Sequence, residues 1–168
     1  MALPLDILQK RLKNEIALCR EQLPHKIEVI DPEFREFPTT IFVTFKNIPG
    51  PVRSGEKITH LYTHKMRIDI YKDYPYQKPT ARWETEIFHP NIVPPEKGGW
   101  VCIKLLDDWS FSSNLLTFLN GIESLLVNPN PKSPYQDETT LKAAQYFLKN
   151  PYKPPMIVKG KSKKERGK

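Results

Sequence analysis

The stretch FHPNIVPPEKGGWVC, residues 88–102, carries a cysteine at the end of a proline-rich approach, and the fold turns on how it is read. Neither a helical nor a strand period runs through it. Pro90, Pro94, Pro95 and Trp100, with Trp109 and Phe111 just beyond, nonetheless supply a stiffness and bulk that an idle linker lacks. Cys102 lies in Trp100-Val101-Cys102-Ile103-Lys104-Leu105, an apolar setting in which a cysteine is ordinarily inert core filler. Gly98-Gly99 before it and Asp107-Asp108 after it make the run too short for an ordinary core strand. An irregular surface segment fits better, and an accessible sulfur is a ready nucleophile.

Upstream, Lys26 to Ile30, Thr40 to Ile48, Thr63 to Tyr71 and Ala81 to Phe88 read as four strands. Ile41, Val43 and Phe45 alternate with Phe42, Thr44 and Lys46, and Met66, Ile68 and Ile70 alternate with Arg67, Asp69 and Tyr71, as in half-buried strands. No helical pattern separates these runs, so they predict an antiparallel meander, because parallel pairing needs long crossovers. From Pro4 to Leu23, Leu5, Leu8, Leu12, Ile16, Cys19 and Leu23 recur at helical spacing, which places Cys19 on a buried face without a functional role. Downstream, Leu115 to Val127 reads as a mostly buried helix stopped by Asn128-Pro129-Asn130-Pro131, and Thr139 to Leu148 as a shorter one. The fold class is therefore α+β.

The chain has 168 residues, enough for one domain, and its 39% hydrophobic and 27% charged content is ordinary for a globular protein. The last ten residues, Lys159 to Lys168, hold six Lys/Arg and one Glu, so +5 of the formal +7 lies there and the body is nearly neutral. We read residues 1–155 as one catalytic domain and 156–168 as a basic, disordered tail. The tail lacks aromatic residues among its charges, which argues against nucleic-acid binding. No apolar run approaches bilayer length and the start lacks a signal-peptide pattern, so the expectation is a cytoplasmic monomer that makes no use of a membrane. His25, His60, His64 and His89 show no close spacing with Cys19 or Cys102, so neither a metal nor another cofactor is expected.

His89-Pro90-Asn91 is weak alone, since its plain reading is a proline turn with side chains bonded to nearby backbone. The ordered set is specific. Tyr74-Pro75-Tyr76 with Pro79, His89-Pro90-Asn91-Ile92, Cys102, Trp109-Ser110 and Pro129-Asn130-Pro131 together resemble the ubiquitin-conjugating (E2) enzymes over roughly residues 5 to 150. The resemblance implies the E2 (UBC) fold: an N-terminal helix, a four-stranded antiparallel meander, an irregular active-site segment and C-terminal helices. It further implies that Cys102 takes ubiquitin or a ubiquitin-like modifier from an activating enzyme as a thioester and passes it to a lysine amine, with a RING-type ligase. Asn91 would donate to the tetrahedral oxyanion or support the adjacent loop, and His89 and Pro90 would hold the turn. Partner surfaces would be formed by Tyr76, Ser110, Phe111 and Ser112 with Lys10, Arg11 and Lys13 of the first helix.

The chain departs from the family pattern in two respects. Asn91 and Cys102 are eleven positions apart, longer than the family's usual spacing, with the extra residues in Val93 to Lys97, which would have to fold outward. Lys104 and Lys132-Ser133 stand where many members carry acidic residues, leaving Asp107 or Asp108 as the base or pKa support, while a nearby cation would favour the Cys102 thiolate. The main alternative is an E2-like module that binds a ubiquitin-like protein without catalysis. A papain-like hydrolase would need a histidine on the thiolate, and His89 is already accounted for by its motif.

Overall fold

The computed structural model describes residues 1–156. The basic tail from residue 157 onward lies outside them. Helix α1, Leu5–Gln22, buries Leu8, Leu12, Ile16 and Cys19 as its spacing requires, while Leu5 at its first turn remains half exposed. The strands are β1, Lys26–Val29; β2, Thr39–Ser54; β3, Lys57–Ile70; and β4, Thr80–Trp83. They form one antiparallel sheet in the order β1-β2-β3-β4, the predicted meander. Ile41, Val43, Phe45, Met66, Ile68, Ile70, Ala81 and Trp83 point inward.

The β2–β3 hairpin runs well past the predicted ends at Ile48 and Thr63 and closes at Ser54↔Lys57 around Gly55, whose φ of 63° suits a tight turn. Pro49 and Pro51 hid this extension, since proline usually marks a strand's limit. The structure accommodates them with a register shift between Lys46 and Gly50, where Asn47 has a φ of 61°. Strand β4, by contrast, stops at Trp83 rather than Phe88. Ile87 and Phe88 are buried all the same, and the Phe88 N–H donates to the Pro51 carbonyl at 2.7 Å.

After the sheet come a 3₁₀ turn, Pro95–Lys97, and α2, Lys104–Asp107, a single helical turn that the aperiodic sequence did not reveal. Helix α3, Leu115–Val127, lies against the inner face of the sheet and buries Leu115, Phe118, Leu119, Ile122 and Leu126. Helix α4, Glu138–Lys149, starts at an Asp137/Thr140 capping box and packs Ala143 and Phe147 on Phe88 in a smaller cluster.

Glu15 joins α1 to the segment that follows the cysteine. Its carboxylate accepts from the Tyr74 hydroxyl at 2.7 Å, from the Leu115 N–H at 2.7 Å and from the Arg11 guanidinium at 2.9 Å. A carboxylate at the first residue of α3 also meets the positive end of that helix dipole. Burial and the adjacent Glu15 charge push the Tyr74 phenol far up, so it stays a donor. Glu15→Ala would strand a buried hydroxyl and a helix N–H, and we expect a loss of about 3 kcal/mol in urea unfolding. A change within about 0.5 kcal/mol, the range of ordinary surface substitutions, would show that the carboxylate is not a keystone.

Candidate active site

The irregular segment is held at both ends by backbone pairing. Ile92 is bridged to Val101 and to His89, and the Val93 N–H donates to the Trp100 carbonyl at 2.8 Å. Between these pairs the extra residues fold outward through the 3₁₀ turn and return on Gly98 and Gly99, whose φ values are 110° and 69°. Gly99 lies tight against the sheet: its carbonyl accepts from the Trp83 N–H at 2.7 Å, and a Cβ there would fall 2.4 Å from the Trp83 oxygen. The longer spacing thus leaves Asn91 and Cys102 as neighbours, with the Cys102 N–H donating to the Asn91 carbonyl at 2.8 Å.

His89 is fully buried and its ring bonds fix one tautomer. Nε2 donates to the Leu125 carbonyl at 2.8 Å, and Nδ1 accepts the Asn91 N–H at 3.0 Å. Burial lowers its pKa from 6.5 to about 4. Pro90 offers its carbonyl to the Tyr135 N–H at 2.9 Å, which ties the turn to the approach of α4.

Asn91 is 3% exposed and its side chain is fully engaged. Nδ2 donates to the carbonyls of Asn130 at 3.1 Å and Ser133 at 3.0 Å, while Oδ1 accepts the Asn130 N–H at 2.7 Å. Both N–H bonds of the amide therefore hold the loop at 130–133. In the sequence that loop reads as a helix stop, as a family landmark at Pro129-Asn130-Pro131 and as the place where Lys132-Ser133 replace acidic residues, while the carbonyls that meet Asn91 carry no residue-type signature.

Cys102 is partly exposed, whereas Cys19 is buried and has its thiol pushed up to about 12 by burial and by Glu15. The Cys102 thiol is also raised above its ordinary value, first by desolvation and then by the negative charge of Asp107. The expected help from a nearby cation does not materialise: Lys104 extends to 4.0 Å from Asp108, while Asp107, 4.0 Å from Lys78, acts on the sulfur. Asp107 and Asp108 are both exposed, with side chains 71% and 65% accessible. Lys78 did not stand out in the sequence.

Among the residues expected from sequence to meet partners, the Tyr76 and Phe111 rings stand 5.6 Å apart and both are exposed. Ser110 and Ser112 are hydroxyl-bonded at 3.0 Å. Arg11 belongs to this cluster rather than to a free basic face. It donates to the Phe111 and Ser113 carbonyls at 2.9 and 2.8 Å and lies 5.0 Å over the Phe111 ring. Lys13 pairs with Glu33 at 2.7 Å, and Lys10 is exposed. Among the described residues no cluster of His, Cys, Asp and Glu could hold a metal ion, and no helix is long and apolar enough to cross a membrane.

A family model described as Ubiquitin-conjugating enzyme matches residues 11–157. The Sumo-conjugating enzyme ubc9 of Dictyostelium discoideum is 38% identical over 133 residues, spanning 77% of this chain and 80% of that protein. The Ubiquitin conjugating enzyme E2 B of the same organism is 40% identical over 73 residues, which span 44% of this chain and about half, 48%, of that relative. Among solved structures, S. cerevisiae Ubc12 matches the fold with a TM-score of 0.67 and 24% identity, covering 88% of this chain and 74% of that one.

Alkylation of Cys102 by iodoacetamide should accelerate with pH to beyond the range of an ordinary thiol, and Asp107→Asn, which removes a charge opposing the thiolate, should shift that profile to lower pH; an unmoved profile would show that the carboxylate does not act on the sulfur. His89 has a lowered folded pKa, so the stability it contributes is complete above about pH 6.5 and is lost as pH falls toward 4, where the unfolded chain takes up a proton that the folded one resists. His89→Gln should flatten the fall in urea-unfolding free energy across that window by about 3 kcal/mol. An equally steep fall in the variant would reassign the acid sensitivity to other groups.

Proposed function

The chain belongs to the ubiquitin-conjugating enzyme family, a family of acyltransferases, and from that premise we propose that Cys102 carries ubiquitin or a ubiquitin-like modifier and delivers it to a lysine amine. The observation that supports this most directly is a partly exposed cysteine, Cys102, whose backbone N–H donates to the asparagine of the HPN turn. In the charging step the Cys102 thiolate attacks the thioester carbonyl of a modifier held on an activating enzyme. A new C–S bond forms, the old one breaks, and the activating enzyme's cysteine leaves as a thiolate. In discharge a lysine amine attacks the same carbonyl, a C–N bond forms, Cys102 leaves as a thiolate, and the proton lost by the amine passes to solvent.

The raised thiol pKa is consistent with this cycle, because exchange between thioesters of similar energy needs only a minor thiolate fraction. Of the two roles considered for Asn91, we favour loop support, since both its N–H bonds end on carbonyls of the 130–133 loop. Asn91 then acts as a positioning residue that ties this loop to the turn bonded to Cys102. Asp107 is the nearer candidate for acid-base support because its charge already acts on Cys102. Docking of a RING-type ligase and of the activating enzyme is assigned to Tyr76, Ser110, Phe111 and Ser112, with Lys10 and Lys13 of α1 and with Arg11 bracing the loop from within. The catalytic unit on this reading is residues 1–155, acting as a monomer in the cytoplasm.

The test is charging. Incubated with an activating enzyme, ATP and ubiquitin or SUMO, the protein should yield a higher-mass band that thiol reductant removes. Cys102→Ser should give no reductant-sensitive band, while Cys19→Ser should charge normally. A chain that binds the modifier but never forms that band would be an E2-like binding module.

A further inference from the structure

The outward face of the sheet carries a cross-strand row of cations and rings. Phe42 on β2 faces Arg67 on β3, Arg67 faces Arg82 on β4, and Arg82 is bridged to Trp100. Two like charges directly opposite each other are unfavourable in a sheet, so each needs a counterpart. Arg67 has one, since its Nε donates to both oxygens of Asp69 at 3.1 and 3.2 Å. Arg82 has none: its guanidinium lies 4.3 Å from the centre of the Trp100 ring, and among the described residues it makes no ion pair or hydrogen bond. Stacking satisfies the face of a guanidinium and leaves its in-plane N–H donors available, the arrangement that a carboxylate takes in two parallel bonds.

Those donors border a shallow cleft of about 320 Å³ between the sheet and the outward-folded turn, lined by Arg67, Arg82, Trp83, Glu84, Pro95 and Gly98. Glu84 is the acid of the cleft and pairs with no cation among the described residues. Next to the row, Lys65 holds its ammonium 4.7 Å over Phe42, and its charge acts on Glu28. The Trp100 ring lies close over Gly98, where a Cβ would fall 2.9 Å from the indole nitrogen.

We propose that this cleft binds an acidic segment of a partner protein, one carboxylate seated on Arg82 and the chain lying between β4 and the 94–98 turn. Single-stranded nucleic acid fits less well. It needs open aromatic faces for its bases, and the two rings of the row each already carry a cation. The site is independent of Cys102 chemistry and stands whether or not the thiol is charged.

The probe is a blocked poly-glutamate peptide, titrated into the full ¹⁵N-labelled chain, with poly-glutamine as the uncharged comparator. The indole N–H of Trp100, assigned with Trp100→Phe, should shift saturably with glutamate and not with glutamine, while the indoles of Trp83 and Trp109 stay in place. Arg82→Gln should weaken the binding about tenfold, and added salt should weaken it further. Arg82→Lys, which keeps the charge and loses the planar fork, should also bind less tightly and guards against a folding defect in the first variant. The proposal is overturned if the Trp100 indole does not respond, if Arg82→Gln binds as well as the parent, or if oligothymidylate shifts that indole at lower concentration than the acidic peptide.

Discussion

Asn91 has no polar group left over. Its N–H goes to His89, its carbonyl to the Cys102 N–H, its amide N–H bonds to Asn130 and Ser133, and its amide oxygen to the Asn130 N–H. A buried amide left unbonded is costly, so each connection supports the others. Three segments are thereby locked together: the turn at 89–91, the segment that carries Cys102, and the loop between α3 and α4. His89 anchors this node to α3 through Leu125 and must remain neutral to do so, because only the neutral ring offers one donor and one acceptor. The turn is thus a structural clamp whose position determines where the sulfur sits.

Around that clamp the rest of the molecule acts as a frame. The sheet supplies an inner face for α3, and α1 packs against α3 and β1 to complete the core. Glu15 then couples α1 to Tyr74 and to the start of α3, while Arg11 reaches the loop of Phe111 and Ser113. The surface assigned to partners is consequently part of the same hydrogen-bonded assembly as the core. An element so ordered loses little conformational freedom when another protein meets it.

Periodicity made the frame legible. The alternation around Ile41 and Ile68 and the helical spacing of Leu8, Leu12 and Ile16 are direct imprints of burial, and α1, α3 and the meander appear where those patterns lie. The hairpin extension was hidden because Pro49 and Pro51 carry a breaker signal that a register shift overrides. The single turn α2 is too short to show a period at all. At the site, sequence order brought Cys102 and Asn91 to attention, but the direction of an amide depends on carbonyls at Asn130 and Ser133 that any residue could supply. The sign of the shift at Cys102 was likewise invisible: Lys104 is nearer in sequence, yet Asp107, one helical turn along, supplies the charge that the sulfur feels.

The contrast between the two thiols has a practical corollary. Cys19 lies in the core with its proton held up to about pH 12, while Cys102 is partly open to solvent. The chain consequently offers electrophiles one addressable handle without any engineering. A maleimide dye, a spin label or a crosslinker would be expected to add once, at the residue whose backbone is bonded to Asn91.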